Sequence, residues 1–179
     1  MLIERMRRAA LLDPTLYNEV EHDEEALTQA ILVVVIAAVA SGLGTLLGSF
    51  GGGPGVVGLA SEVLTMLLNW AIWSYVTYWV GTRIFGGTAT PGEMLRTLGF
   101  ALSPAVLNVL GFLLCVGFLI RLGVFAWVLV AGVVAVREAL DFDTQRAVGT
   151  VVVGWGVMVV IFVVQFILFA SLGWSFRMV

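Results

Sequence analysis

The chain has 179 residues, of which 60% are hydrophobic and 12% charged, with a formal net charge of −3 and a mean hydropathy of +1.06. Soluble domains run at about 45–50% apolar and about 25% charged residues, so a water-soluble globule is excluded, and the acidic balance speaks against a nucleic-acid partner. The apolar residues come in unbroken blocks rather than alternating with polar ones. That rejects a β-barrel and leaves helices, the other structure that satisfies every backbone polar group in lipid.

The first segment, Met1–Leu12, is amphipathic: Leu2, Met6 and Ala9 share a face, and Arg5, Arg7 and Arg8 lie elsewhere. It predicts a helix lying on the cytoplasmic leaflet. Acidic residues follow where a signal peptide would carry its apolar core, so no signal peptide is expected. Asp13-Pro14 stops this helix and can cap a second short one, Pro14–Val20. Asp23 can cap the first span, with Glu24 and Glu25 favourable in its first turn. Residues 1–26 are therefore expected to form a cytoplasmic or interfacial arm. Its acidic run (Glu19, Glu21, Asp23, Glu24 and Glu25, with His22) reads as a solvated face, with binding of a cation or basic partner the sharper alternative.

No charge occurs in the stretches Ala26–Ser61, Val63–Thr82, Thr97–Ile120, Leu122–Val136 and Ala147–Phe176. The first is broken at Gly51-Gly52-Gly53-Pro54-Gly55. At about 20 residues per crossing, five spans are predicted near residues 27–49, 59–85, 98–120, 122–140 and 148–172, followed by a short outer tail, 173–179. Arg5, Arg7, Arg8, Arg83, Arg96, Arg137 and Arg146 then fall on one side, and only Arg121 and Arg177 on the other. The positive-inside bias places the N-terminus inside and the C-terminus outside. The expected fold is an all-α integral membrane protein: a five-helix transmembrane bundle with an amphipathic interfacial helix at its N-terminus. Span four is the short one. Its uncharged stretch gives roughly 22 Å of helix against about 30 Å of hydrocarbon. Either Arg121 and Arg137 snorkel outward, or spans three and four form a re-entrant hairpin with Arg121 buried.

Several residues could carry more than structure. Asn69 and Asn108 sit at matched depth near the middle of spans two and three, where a hydrogen bond between them is expected to contribute about 0.6–2 kcal/mol. The alternative is a polar lining for an ion or substrate path; Gln165 lies outside that layer. Ser103-Pro104 predicts a kink, because Pro104 leaves the Phe100 carbonyl unpaired; its functional reading is a gate. Glu62 and Arg121 are outer-rim charges, with Arg121 or Arg177 able to pair Glu62. Gly44 with Gly48, Ser41 with Thr45, and Ala131 with Ala135 are small-residue pairs suited to close helix packing, within the chain or with a second copy. Trp70, Trp73, Tyr75, Tyr78 and Trp79 read as packing and an interfacial belt. Thr90-Pro91-Gly92-Glu93 has capping-box spacing and predicts a helix starting at Pro91 along the cytoplasmic surface; Asp143 or Thr144 can cap span five. With one His, one Cys (Cys115) and none of the metal-protease, phosphate-loop or nucleophile-elbow patterns, no metal, cofactor or enzymatic activity is expected.

From Tyr78 to Pro104 the order of motifs is specific. Tyr78-Trp79-Val80-Gly81 ends a span, Phe85-Gly86-Gly87 follows, then Glu93-Met94-Leu95-Arg96, Leu98-Gly99-Phe100-Ala101 and Ser103-Pro104. Leu12-Asp13-Pro14 leads to Tyr17 upstream, and Trp127, Arg137-Glu138-Ala139 and Thr144 come downstream. Over nearly its whole length the chain resembles the Yip (Ypt/Rab-interacting protein) domain family, in its prokaryotic branch. The resemblance implies five spans, a cytoplasmic N-terminus and a prokaryotic cytoplasmic membrane, with Tyr78, Gly81, Gly86, Gly87, Arg96, Gly99 and Pro104 as the family-like stretch. Eukaryotic members bind Rab-type GTPases and act in vesicle traffic, through a longer cytoplasmic region than this chain carries. The expected function is a non-enzymatic membrane scaffold, organising or trafficking-like protein. Its partners would be the bilayer, a second copy or another membrane protein, and no nucleic acid. The alternative is a small channel, transporter or lipid-moving protein with a path near Asn69, Asn108 and Pro104.

Overall fold

The computed structural model describes residues 1–49, 55–113 and 116–175. Residues 51–54 of the glycine-proline break, Cys115 and Arg177 lie outside them, as does the side chain of Gln165. Among the described residues the regular elements are all helical: α1 (Leu2–Ala10), α2 (Pro14–His22), α3 (Ala26–Gly48), α4 (Gly55–Arg83), α5 (Pro91–Ala101), a 3₁₀ segment (Ser103–Phe112), α6 (Gly117–Ala139) and α7 (Thr144–Ser175). Five stretches are long and apolar enough to cross a membrane: Ala26–Gly48, Val57–Arg83, Pro91–Phe112, Gly117–Ala139 and Thr144–Val164.

The N-terminal arm contains both expected short helices. It folds into a helical hairpin docked on the bundle. α1 ends on Leu12 in the left-handed region (φ 62), with Leu12 N–H donating to Ala9 O and Asp13 N–H to Arg8 O, which satisfies the last carbonyls of the helix. The Asp13 carboxylate accepts from Thr15 N–H at 3.0 Å and starts α2. Arg5 then pairs with Glu19 at 2.7 Å and Asp23 at 2.9 Å, and Arg8 with Asp13 and Glu19 at 2.8 Å each. Two of the five carboxylates of the acidic run, Glu19 and Asp23, are thus paired with the arginines of α1, while Glu24 and Glu25 stay exposed. α2 packs against α5 and α6, and Leu16, Tyr17 and Val20 are fully buried in one core with Ala131, Ala135 and Ala139 of α6. The hairpin docks because its apolar face meets a small-residue face of protein, where the amphipathic pattern by itself specifies only some apolar surface. The Trp127 indole N–H donates to Ala10 O at 2.8 Å and ties α6 to the end of α1.

Span three runs from Pro91 to Phe112, not to 120. Its start is the expected capping box: Glu93 N–H donates to Thr90 Oγ1 at 3.3 Å, and Thr90 N–H to Glu93 Oε2 at 2.8 Å. The kink expected at Pro104 appears as a change of helix type. α5 stops at Ala101 and the chain continues as ten residues of 3₁₀ helix. The freed Phe100 carbonyl accepts from the Ser103 hydroxyl at 2.7 Å. Ten residues rise about 20 Å in 3₁₀ geometry against about 15 Å in an α-helix, so fewer residues complete the crossing. The residues saved pass to span four. Its helix has 23 residues, about 34 Å long, enough to cross, and Arg121 lies inside its first turns rather than in the connection, where its long side chain can reach outward.

Packing is uneven along the bundle. The largest fully buried side chains include Tyr17, Leu16, Phe100, Met94, Leu98 and Leu140, all on the side of the hairpin. Toward the other end, among the described residues, Ala37, Ala105 and Val124 form a second, small cluster. Here α3 and the 3₁₀ segment meet through backbone: a Cβ on Gly44 would collide with the carbonyl oxygen of Asn108. Because that obstacle is backbone, Gly44→Ala is expected to push the two elements apart and cost about 1–3 kcal/mol, read as a lower melting temperature in detergent.

Candidate functional site

The loosely packed end carries a set of connected cavities, and helical periodicity explains their lining. On α4, Glu62, Met66, Asn69 and Trp73 fall at steps of four, three and four, hence on one face. On α6, Arg121, Phe125 and Val128 do the same. In the 3₁₀ segment side chains three apart eclipse, which files Ala105, Asn108 and Gly111 on one ridge. Between these stripes and α3 lies a cavity of ≈ 350 Å³ bordered by Ser41, Thr45, Glu62, Asn108, Arg121 and Phe125. It shares Glu62, Met66, Leu102, Phe125 and Val128 with an apolar cavity of ≈ 320 Å³ walled by Asn69, Trp70, Trp73, Trp155 and Met158. A third cavity of ≈ 410 Å³, between Gly44, Gly48 and Gly117, adjoins the first through Thr45 and Arg121.

The Thr45 hydroxyl donates to Ser41 O at 3.1 Å, but two other polar groups of this site are unsatisfied. Ser41 Oγ and Asn108 Oδ1 are buried without a hydrogen-bond partner. The Arg121 guanidinium lies across Gly111, where a Cβ would stand 2.6 Å from its Nε. Glu62 and Arg121 border the same cavity, but the expected pair is not made: among the described residues neither takes part in an ion pair. Nor does a hydrogen bond join Asn69 to Asn108, whose Oδ1 is free. Matched depth presumes an α-helical rise, whereas Asn108 sits in 3₁₀ helix, which alters both its height and its direction. Asn69 faces the aromatic cavity and Asn108 the polar one. Ser103 and Pro104 are buried and border none of these three cavities.

Most of the family-like stretch lies away from these cavities, where its glycines sit at close contacts between spans and Arg96 meets the hairpin. Gly81 and Gly87 cradle Leu140: a Cβ on either would stand 2.5 Å from a methyl of that residue. Gly86 has φ +77 and turns the chain between them. Gly99 lies against Ala30 of α3, with 2.7 Å to its Cβ. Tyr78 packs against Tyr75, ring centroids 6.0 Å apart. The Trp70 indole N–H donates to Leu95 O at 3.2 Å. Arg96 is buried and donates from Nε to Val20 O at 3.0 Å and from Nη2 to Glu21 O.

Beside it, the Glu21 side chain is buried with Oε2 unpartnered, and burial pushes its carboxyl up to about 7. In the sequence Glu21 is one member of an acidic run and does not stand out by charge. The signal was present: Glu21 is four residues after Tyr17, on the same face of α2 as Leu16 and Val20.

Five apolar helices, a docked charged hairpin and lateral cavities between the spans define a multi-pass helical membrane protein. A family model described as Yip1 domain matches residues 9–167, and the chain belongs to that family. No curated protein and no solved structure matches it.

Proposed function

We propose that the protein is a non-enzymatic scaffold that organises the bilayer or its neighbours within it, inserted N-in and C-out in a prokaryotic cytoplasmic membrane. The observation that carries this reading is the asymmetry of packing. The bundle is solid where the hairpin docks and opens sideways, between helices, toward the other end. Cavities backed by a filled core suit binding from within the membrane better than passage through it. In proteoliposomes the scaffold reading predicts ion fluxes no greater than in protein-free vesicles. A flux that Asn69→Leu abolishes while the protein stays folded and monodisperse would replace it with a transport role.

A second reading, lipid handling, is favoured by one observation. Asn108 Oδ1 and Ser41 Oγ are left unpartnered at a cavity where a dry Asn–Asn pair would have closed the matter.

A further inference from the structure

We propose that the cleft between α3, α4 and α6 seats one phospholipid with a primary-amine, zwitterionic headgroup. Arg121 would take the phosphate, Glu62 and Asn108 the ammonium, and the aromatic cavity an acyl chain. The proposal goes beyond the scaffold reading and deepens the lipid-handling one: a bound lipid with no lipid movement keeps the proposal and removes only that second reading.

Four observations converge. First, a cation and an anion with no ion pair among the described residues border one cavity, and a zwitterion presents both opposite charges at once. Second, the charges lie at similar heights. Arg121 is about 6 Å from the start of its helix and Glu62 about 8 Å along its apolar stretch, one to two turns in from the end and so a little below the phosphate level, a gap that a long guanidinium side chain spans by snorkelling. Third, the buried atom Asn108 Oδ1 accepts hydrogen bonds and has no donor. An ammonium supplies N–H donors, whereas a quaternary amine supplies none. Fourth, the polar cavity continues through Phe125 and Val128 into a wall of Trp70, Trp73 and Trp155, an apolar surface open to the side from which a lipid chain would enter. Guanidinium is suited to phosphate because its fork makes two parallel charged hydrogen bonds.

The test uses the full chain in detergent with short-chain lipids. Dioctanoyl phosphatidylethanolamine, phosphatidylcholine and phosphatidylglycerol, dioctanoylglycerol and inorganic phosphate are titrated separately. Binding is read by native mass spectrometry and by tryptophan quenching with brominated-chain analogues. One phosphatidylethanolamine per chain is expected, bound about tenfold more tightly than phosphatidylcholine, the size of one lost charged hydrogen bond. Arg121→Gln is expected to weaken all three phospholipids. Glu62→Gln is expected to narrow the gap between ethanolamine and choline headgroups. The headgroup series on the unaltered protein decides the matter even if a variant fails to fold. Equal binding of the choline lipid, or of dioctanoylglycerol, overturns the proposal. So does displacement of the lipid by inorganic phosphate alone, which makes this a free-anion site, or a dimer whose second copy fills the cleft and excludes lipid.

Discussion

Arg96→Met is expected to release the N-terminal hairpin from the bundle at a cost of about 3–5 kcal/mol, two charged hydrogen bonds' worth. The last carbonyls of a helix have no partner within it, and that end carries the negative pole of the helix dipole. In α2 those carbonyls belong to Val20 and Glu21, and both accept from the one buried guanidinium. Removing it leaves two carbonyls in an apolar interface with no donor, while Met preserves most of the packed volume, so the loss reports the hydrogen bonds rather than a cavity. Arg96→Lys, a point charge without the fork, should lose about half as much. Hydrogen exchange in nanodiscs separates the hairpin from the spans: amides of Pro14–His22 should exchange faster, and those of α4 and α7 should not change. Undiminished protection of α2 in Arg96→Met would show that apolar burial of Leu16, Tyr17 and Val20 holds the hairpin unaided.

That interface also marks how far the sequence could be read. Charge-free stretches and the positions of arginine suffice for the number of helices, because lipid leaves the backbone few alternatives. The capping box at Thr90 is local chemistry, and it forms as its spacing requires. Three features depend on long-range partners and were out of reach. Nothing in Met1–Leu12 says whether its apolar face meets lipid or protein. The 3₁₀ run after Pro104 is a tertiary accommodation: Pro104 signals a break, but the close approach at Gly44 accompanies ten residues of tighter winding. Once that winding is in place, the height of Asn108 and the length of span four both shift. The site residues Glu62, Arg121, Asn69 and Asn108 were legible as unusual. Their arrangement as two adjoining cavities, one polar and one aromatic, follows from the altered winding and was not.

Docking of the hairpin is expected to weaken as pH rises from about 4.5 to about 7, and Glu21→Gln is expected to abolish that dependence. The Glu21 carboxyl ordinarily titrates near 4.5 and is pushed up to about 7, first by burial and then by the carboxylates facing it: Glu93 from α5, Asp141 from the turn after α6 and Glu138 from α6. His22 on α2 opposes them, and Arg96 of α5 stands close by, bonded to the Glu21 carbonyl. The sign follows from linkage. The docked state holds the Glu21 proton more tightly than the undocked chain. Below about 4.5 the group is neutral in both states and docking is unpenalised. Between 4.5 and 7 the undocked chain ionises first, and docking loses up to about 3 kcal/mol. Above about 7 the group is charged in both, and the dependence flattens. Three other carboxylates of the hairpin are shifted the opposite way: Asp13 is held down at about 2 by Arg8 and Thr15, Glu19 is lowered by Arg8 and Arg5, and Glu4 is lowered by Arg7. Hydrogen exchange of α2 across pH 4.5–8.5, corrected for the intrinsic rate, reads the effect directly. Glu21→Gln should match the wild type at low pH and exceed its protection at pH 8. His22→Asn tests the neighbouring titration and should leave most of the slope in place. A hairpin more protected at pH 8 than at pH 5, or a slope that survives Glu21→Gln, places the titrating group elsewhere.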